Sequence, residues 1–168
     1  MRGGISAIVS RAAEGSGPEE RSWLGVGWPK SWSPDGKVLA FDCGETFGDI
    51  CLLRQESARQ PELFVASTNS AEWGGVFSRD GKWIAYASDE SGQYEVYVRP
   101  YPGPGGQWQI STDGGAEPVW SRDGRELFYA RGFKTMAVRV QTTPEFRAEA
   151  PISCSRGLFL DLWEFPTT

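Results

Sequence analysis

An all-β fold of small repeated sheets follows from three features of this sequence. A six-residue stretch occurs three times, the runs after each copy are short, apolar and β-favouring, and no segment combines helical periodicity with a credible cap. The stretch is Trp32-Ser33-Pro34-Asp35-Gly36-Lys37. Phe77-Ser78-Arg79-Asp80-Gly81-Lys82 and Trp120-Ser121-Arg122-Asp123-Gly124-Arg125 repeat its order of aromatic, Ser, any residue, Asp, Gly and base. The serines recur at intervals of 45 and 43 residues, a period that marks an array of supersecondary units.

The repeated stretch has the chemistry of a turn. A short polar acceptor, a residue that accepts φ near −60°, an Asp and a left-handed Gly make a type I turn closing a hairpin. The aspartates are therefore read as turn residues rather than metal or acid-base carboxylates. Behind them come Val38-Leu39-Ala40-Phe41, Trp83-Ile84-Ala85-Tyr86 and Glu126-Leu127-Phe128-Tyr129, runs that suit strands packed on both faces. Four strands per unit are expected: 28–32, 37–42, 49–53 and 62–65 in the first, 73–77, 82–87, 93–98 and 108–110 in the second. The third unit gives 116–120, 125–131 and 134–140, with its fourth strand within 146–153. Strands at 5–11 and 21–24 match the back half of such a unit. Units of this length with an aromatic closing the first strand have the spacing of β-propeller blades. The chain, 1–168, is thus expected to be a single partial propeller domain of about three and a half blades: a half blade at 5–24, blades at 27–66, 73–110 and 116–153, and an apolar tail at 154–168.

Composition narrows the function. A formal charge of −5 and no basic stripe disfavour nucleic acid and an anionic membrane surface. No run of about 18 apolar residues suggests membrane insertion, and the opening residues are too short in apolar character for a signal peptide. As written, the chain is expected in the cytoplasm; as a fragment of a longer chain, it would be periplasmic or otherwise extracytoplasmic. Cys43, Cys51 and Cys154 include no Cys-x-x-Cys pair, so no disulfide framework is expected and reduced surroundings suit all three, with Cys51 as a small core residue.

With these residues in view, the chain resembles TolB-like propeller repeats, relatives of the WD-type repeat. Trp32 to Phe41, Asp49-Ile50, Glu95-Val96-Tyr97 and Trp120 to Tyr129 carry the resemblance, which is strong over 28–140 and weak over 5–24. Ser88-Asp89-Glu90-Ser91-Gly92 through Tyr94-Glu95-Val96-Tyr97-Val98-Arg99-Pro100 resembles the propeller region that follows many bacterial membrane-bound serine/threonine kinases, although no kinase motif is present. A closed propeller needs four to eight blades. Two chains could complete one ring as a homodimer, the tail 157–165 could join strands 5–24 as a fourth blade, or the chain could belong to something longer. Pairing or a longer protein is favoured.

No catalytic residue is assigned. With no histidine, Ser-His-Asp and Cys-His systems and histidine-based metal sites are ruled out, and no phosphate loop or dinucleotide fingerprint occurs. The resemblance implies one rim made by the loops before the first strand and between the second and third strands of each blade. Its candidates here are Trp28, Asp42, Glu45, Glu72, Trp73, Asp89, Glu90 and Glu117. Such a rim could hold a protein or peptide, a cationic ligand, or calcium through oxygen ligands, while no cofactor is required. Trp28 and Trp73, each five residues before its serine, are expected to pack between blades more than to meet ligand. The expected role is a non-catalytic binding module. The alternative is a hydrolase with carboxylates in a central pocket, or an accessory propeller of a peptidase, as in the prolyl oligopeptidases that such repeats also resemble.

Overall fold

The computed structural model describes residues 7–10, 20–44, 48–55 and 60–154. All regular structure among them is β: β1 (Ala7–Ser10), β2 (Glu20–Leu24), β3 (Gly27–Trp32), β4 (Val38–Cys43), β5 (Asp49–Arg54), β6 (Glu62–Val65), β7 (Glu72–Phe77), β8 (Trp83–Ser88), β9 (Glu95–Pro100), β10 (Trp108–Gln109), β11 (Ala116–Trp120), β12 (Glu126–Arg131), β13 (Lys134–Gln141), β14 (Arg147–Ala148) and β15 (Ile152–Ser153). No helix occurs in these residues, and so none long and apolar enough to cross a membrane.

Each repeat becomes one antiparallel sheet with strands in chain order. Sheet one is β3-β4-β5-β6, sheet two is β7-β8-β9-β10, and sheet three is β11-β12-β13-β14, while β1 and β2 form a two-stranded sheet. The strands begin a residue or two away from the sequence expectation, because Lys37, Lys82 and Arg125 still belong to the turns. The fourth strand of sheet three is split: β14 pairs one end of β13 and β15 the other. The strand expected at 5–11 is seen as Ala7–Ser10, and the apolar tail 157–165 lies outside the described residues.

The repeated turn explains its own recurrence. In each copy the buried serine hydroxyl donates to the aspartate, at 2.6 Å for Ser33 and Asp35, 2.6 Å for Ser78 and Asp80, and 2.7 Å for Ser121 and Asp123. The same oxygen accepts the first amide of the second strand, from Val38 at 3.0 Å, Trp83 at 3.0 Å and Glu126 at 2.9 Å. Each aspartate also accepts an amide two residues on, and the glycine at φ near +70° lets the chain leave the turn. Three backbone or hydroxyl donors are satisfied by two side chains, which is why Ser and Asp recur together.

The sheets stack face to face, with β3, β7 and β11 side by side at the inner edge. Between sheets one and two, Val38, Ala40 and Leu52 meet Phe77 and Ile84, and Ile50 and Val65 meet Tyr86 and Tyr97. Between sheets two and three, Trp83, Ala85, Val96 and Val98 meet Trp120, Leu127, Tyr129 and Val138. Ile8 and Trp23 of the two-stranded sheet cover Leu39, Phe41 and Leu53. Because each four-stranded sheet buries both faces of its middle strands, those strands read as apolar runs rather than alternating ones.

One expectation is overturned. Cys43 and Cys51 form a disulfide, with Cα atoms 5.9 Å apart, and only Cys154 is free. The ladder pairs Cys43 with Asp49 and Phe41 with Cys51, so the two cysteines are diagonal neighbours on one face. A spacing of eight residues hides this until the hairpin register is known.

Candidate functional site

The Ser-x-Asp-Gly turns occupy one end of the sheets. The opposite end, the loop rim, is made by the links into β7 and β11 and by the loops between second and third strands. Every inner strand has a β-bulge there: the ladder skips between Pro29 and Ser31, Trp73 and Val76, and Ala116 and Val119. A bulge turns an amide out of the ladder. In sheet two that amide belongs to Gly74, at φ +75°, and it donates across the joint to Asp42 Oδ1 at 2.8 Å.

Asp42 is buried, and burial pushes its carboxyl above the ordinary value, opposed by the Gly74 amide and by Lys30. Lys30 Nζ lies 3.2 Å from Asp42 and 6.0 Å from the centre of the Trp73 ring. Trp73 is half-buried and meets Tyr94 edge to face at 6.0 Å. The structure thus brings Asp42, Lys30, Trp73 and Tyr94 into one chain of contacts between sheets one and two. Trp28 was expected to pack between blades but keeps 49% of its surface exposed.

Glu72 is 1% exposed, and its Oε1 accepts from Ser70 at 2.5 Å and Ser88 at 3.1 Å, while Oε2 has no partner. Ser88 stands between Glu72 and Glu95 in one row across the sheet. Glu95, equally buried, accepts from Ser111, from the Gly114 amide at 2.8 Å and from Gln93 at 2.6 Å. Sequence reasoning missed Glu95 and Tyr94; the polar Glu95 opening an otherwise apolar strand was the available signal for the first. Asp89 accepts the Ala71 amide at 2.7 Å and so pins the link into β7.

The remaining candidates are scattered. Glu90 leaves the rim cluster to contact Gln107, which also accepts from Tyr86 at 2.9 Å and Arg99 at 3.0 Å. Burial pushes the Tyr86 phenol up, so it stays a donor. Glu117 is exposed at φ +54°, on the bulge where sheet two has Gly74. Glu45 lies outside the described residues.

The rim does not assemble a metal centre among the described residues, where no three carboxylate, cysteine or histidine side chains converge. Asp42, Glu72 and Asp89 are turned toward amide, hydroxyl and ammonium donors, a set that does not fit calcium, one of the ligands considered for the rim. Two clefts lie away from this cluster. One of about 790 Å³ runs along sheet three and includes Arg125, Glu126, Arg139 and Arg147, and one of about 340 Å³ lies between Leu63 and Phe64 and the Pro100–Gly105 link.

No family profile and no curated protein matches this sequence. Solved structures do resemble it. A candidate TolB from Agrobacterium tumefaciens matches with a TM-score of 0.63 and 17% identity, over 86% of this chain and 60% of that one. TolB from Acinetobacter baumannii matches with a TM-score of 0.62 and 21% identity, over 89% of this chain and 40% of that one. A candidate 6-phosphogluconolactonase from Bacteroides uniformis follows at 0.54 and 18%, over 91% and 52%. The chain therefore spans 40 to 60% of the length of these structures, and at such identities the likeness concerns fold alone. Repeated four-stranded sheets, stacked inner edge to inner edge and matched by two TolB structures, make this chain an all-β protein of TolB-like β-propeller architecture.

Proposed function

We propose that the chain is a non-catalytic propeller module that recognises a protein or peptide with basic character at its loop rim. The observation that carries this reading is the exposure of aromatic rings on the inner strands of adjoining sheets: Trp28, opposite Asp42 in sheet one, is 49% exposed, and the equivalent Trp73 of sheet two is half-buried and meets Tyr94 edge to face. Amphipathic rings at such a mouth give large contact area at low entropic cost, and the chain's formal charge of −5 favours a lysine- or arginine-bearing ligand. The buried Glu95 does not favour a hydrolase, because Ser111, the Gly114 amide and Gln93 already engage both of its oxygens, and Ser70 and Ser88 engage Glu72 through Oε1. The Cys43–Cys51 disulfide supports the extracytoplasmic setting over the cytoplasmic one. In that setting, the kinase-propeller resemblance of residues 88–100 suggests a ligand-sensing role in a signalling protein.

The test is fluorescence anisotropy with a labelled lysine- and arginine-rich peptide, against an acidic peptide of equal length. Preferential binding of the basic peptide, weakening with salt and with Trp73→Ala combined with Trp28→Ala, is the expected result. Equal affinity for both peptides, or indifference to the double substitution, overturns the reading.

A further inference from the structure

The smaller of the two clefts, of about 340 Å³, has apolar side chains on both walls and a cation at one point. One wall is the outer strand of sheet one, where Leu63 is 66% exposed and Phe64 half-buried. The other is the link that leaves β9, with Pro100, Pro102 and Pro104. Tyr101 anchors that link: its amide donates to the Lys82 carbonyl at 2.7 Å, and its ring packs on Phe64 at 6.3 Å and on Phe77 at 5.1 Å. Arg99 supplies the cation.

Arg99 is half-buried, and among the described residues no carboxylate lies within ion-pair distance of it. Arg54 and Arg131, by contrast, meet Glu62 at 3.3 Å and Asp113 at 3.6 Å. A guanidinium partly withdrawn from water is ordinarily paired. The acids that could have served are engaged elsewhere, Glu62 with Arg54 and Glu90 with Gln107. The side chain is nonetheless held in place. Arg99 Nε donates to Gln107 Oε1 at 3.0 Å, and the same oxygen accepts the hydroxyl of the fully buried Tyr86 at 2.9 Å. A guanidinium fixed through Nε keeps both Nη nitrogens as a fork for a carboxylate.

We infer that this cleft binds a small apolar carboxylic acid, its carboxylate forked on the Arg99 Nη atoms and its hydrocarbon part between Leu63, Phe64 and the prolines. The volume is that of a small-molecule site, and apolar walls with one placed polar group are its usual make-up. The cleft lies away from the loop rim, so this site and peptide binding at the rim stand or fall separately.

Calorimetric titration of the full chain with phenylacetate and with its neutral amide, phenylacetamide, tests this. The acid should bind, and the amide should bind about tenfold more weakly. Arg99→Gln should bring the acid down to the level of the amide. Leu63→Glu changes an exposed side chain of the cleft wall, so it should expel the acid while the urea midpoint stays in place. It tests the cleft even where Arg99→Gln disturbs the Tyr86–Gln107 network. Absence of acid binding at about 10 mM, equal affinity for acid and amide, or a preference for the acid that survives Arg99→Gln or Leu63→Glu each overturns the proposal.

Discussion

The two ends of the same three sheets obey different rules. At the turn end, Ser33, Ser78 and Ser121 hold the same bonds to within 0.1 Å, and neighbouring turns touch, as where Arg79 Nε donates to the Arg122 carbonyl at 3.1 Å. At the loop end no residue type is kept in all three sheets, and Trp28 and Trp73 give way to Ala116. The first residue of the inner strand is Gly27 in sheet one, a buried Glu72 in sheet two, and Gly115 stands just ahead of β11 in sheet three. Geometry alone fixes the turns, so their residues converge; the loop rim is freed from that duty, and its side chains are available for recognition.

That contrast can be broken first at the turns. Ser78→Ala leaves the buried Trp83 amide without an acceptor and should cost about 2 kcal/mol in urea unfolding, with peptide affinity unchanged where the protein remains folded. A fall in affinity without a fall in stability would erase the distinction between the ends. Trp73→Ala should do the reverse, weakening the basic peptide about tenfold, roughly 1.4 kcal/mol, while the urea midpoint moves less than for Ser78→Ala.

The ends should also differ in acid. Hydrogen bonds from Ser33 and Ser121 and from backbone amides hold Asp35 and Asp123 below the usual carboxylate value of 3.8. At Asp80 burial opposes this but the Ser78 and Lys82 donors prevail. Their stabilisation is present above pH 3.8 and is lost as pH falls through the folded values. Asp42 is raised instead, so its contribution declines as pH climbs from 3.8 through its folded value. Replacing the three turn aspartates by Asn should flatten the acid limb of a stability–pH curve, and Asp42→Asn should remove a decline above it. Identical curves for both variants would refute the assignment. The smallest effect is Glu117→Gly: relief of the left-handed backbone should raise stability by about 0.5 kcal/mol, read as a small upward shift of the urea midpoint.

How much of this the sequence discloses depends on the range of the interaction. The turns are local, with every bond within five residues, and the three repeats place the strands to within a residue or two. The disulfide was hidden because only the β4–β5 register makes Cys43 and Cys51 neighbours. Trp28 and Trp73 are indistinguishable by position, yet their surroundings diverge, since Lys30 and Tyr94 cover the second ring. Asp42 and Trp73 are both rim candidates in the sequence, but their link through Lys30 belongs to the joint between sheets and has no trace in spacing. The contact of Glu90 with Gln107, on the far side of a proline-rich link, is hidden from the sequence for a similar reason.

The bulge amide of Gly74 has a bearing on engineering. Asp42 occupies the ladder position opposite Trp28, and the corresponding position opposite Trp73 is Ala87, which has no side-chain acceptor. The modules are consequently not interchangeable: a synthetic array concatenating sheet two with itself would strand one buried N–H per junction, whereas alternation that keeps an Asp ahead of every Gly-bearing module would satisfy it. Order along the array is thus written partly in polar atoms, and a designer who copied only the greasy surfaces would lose it.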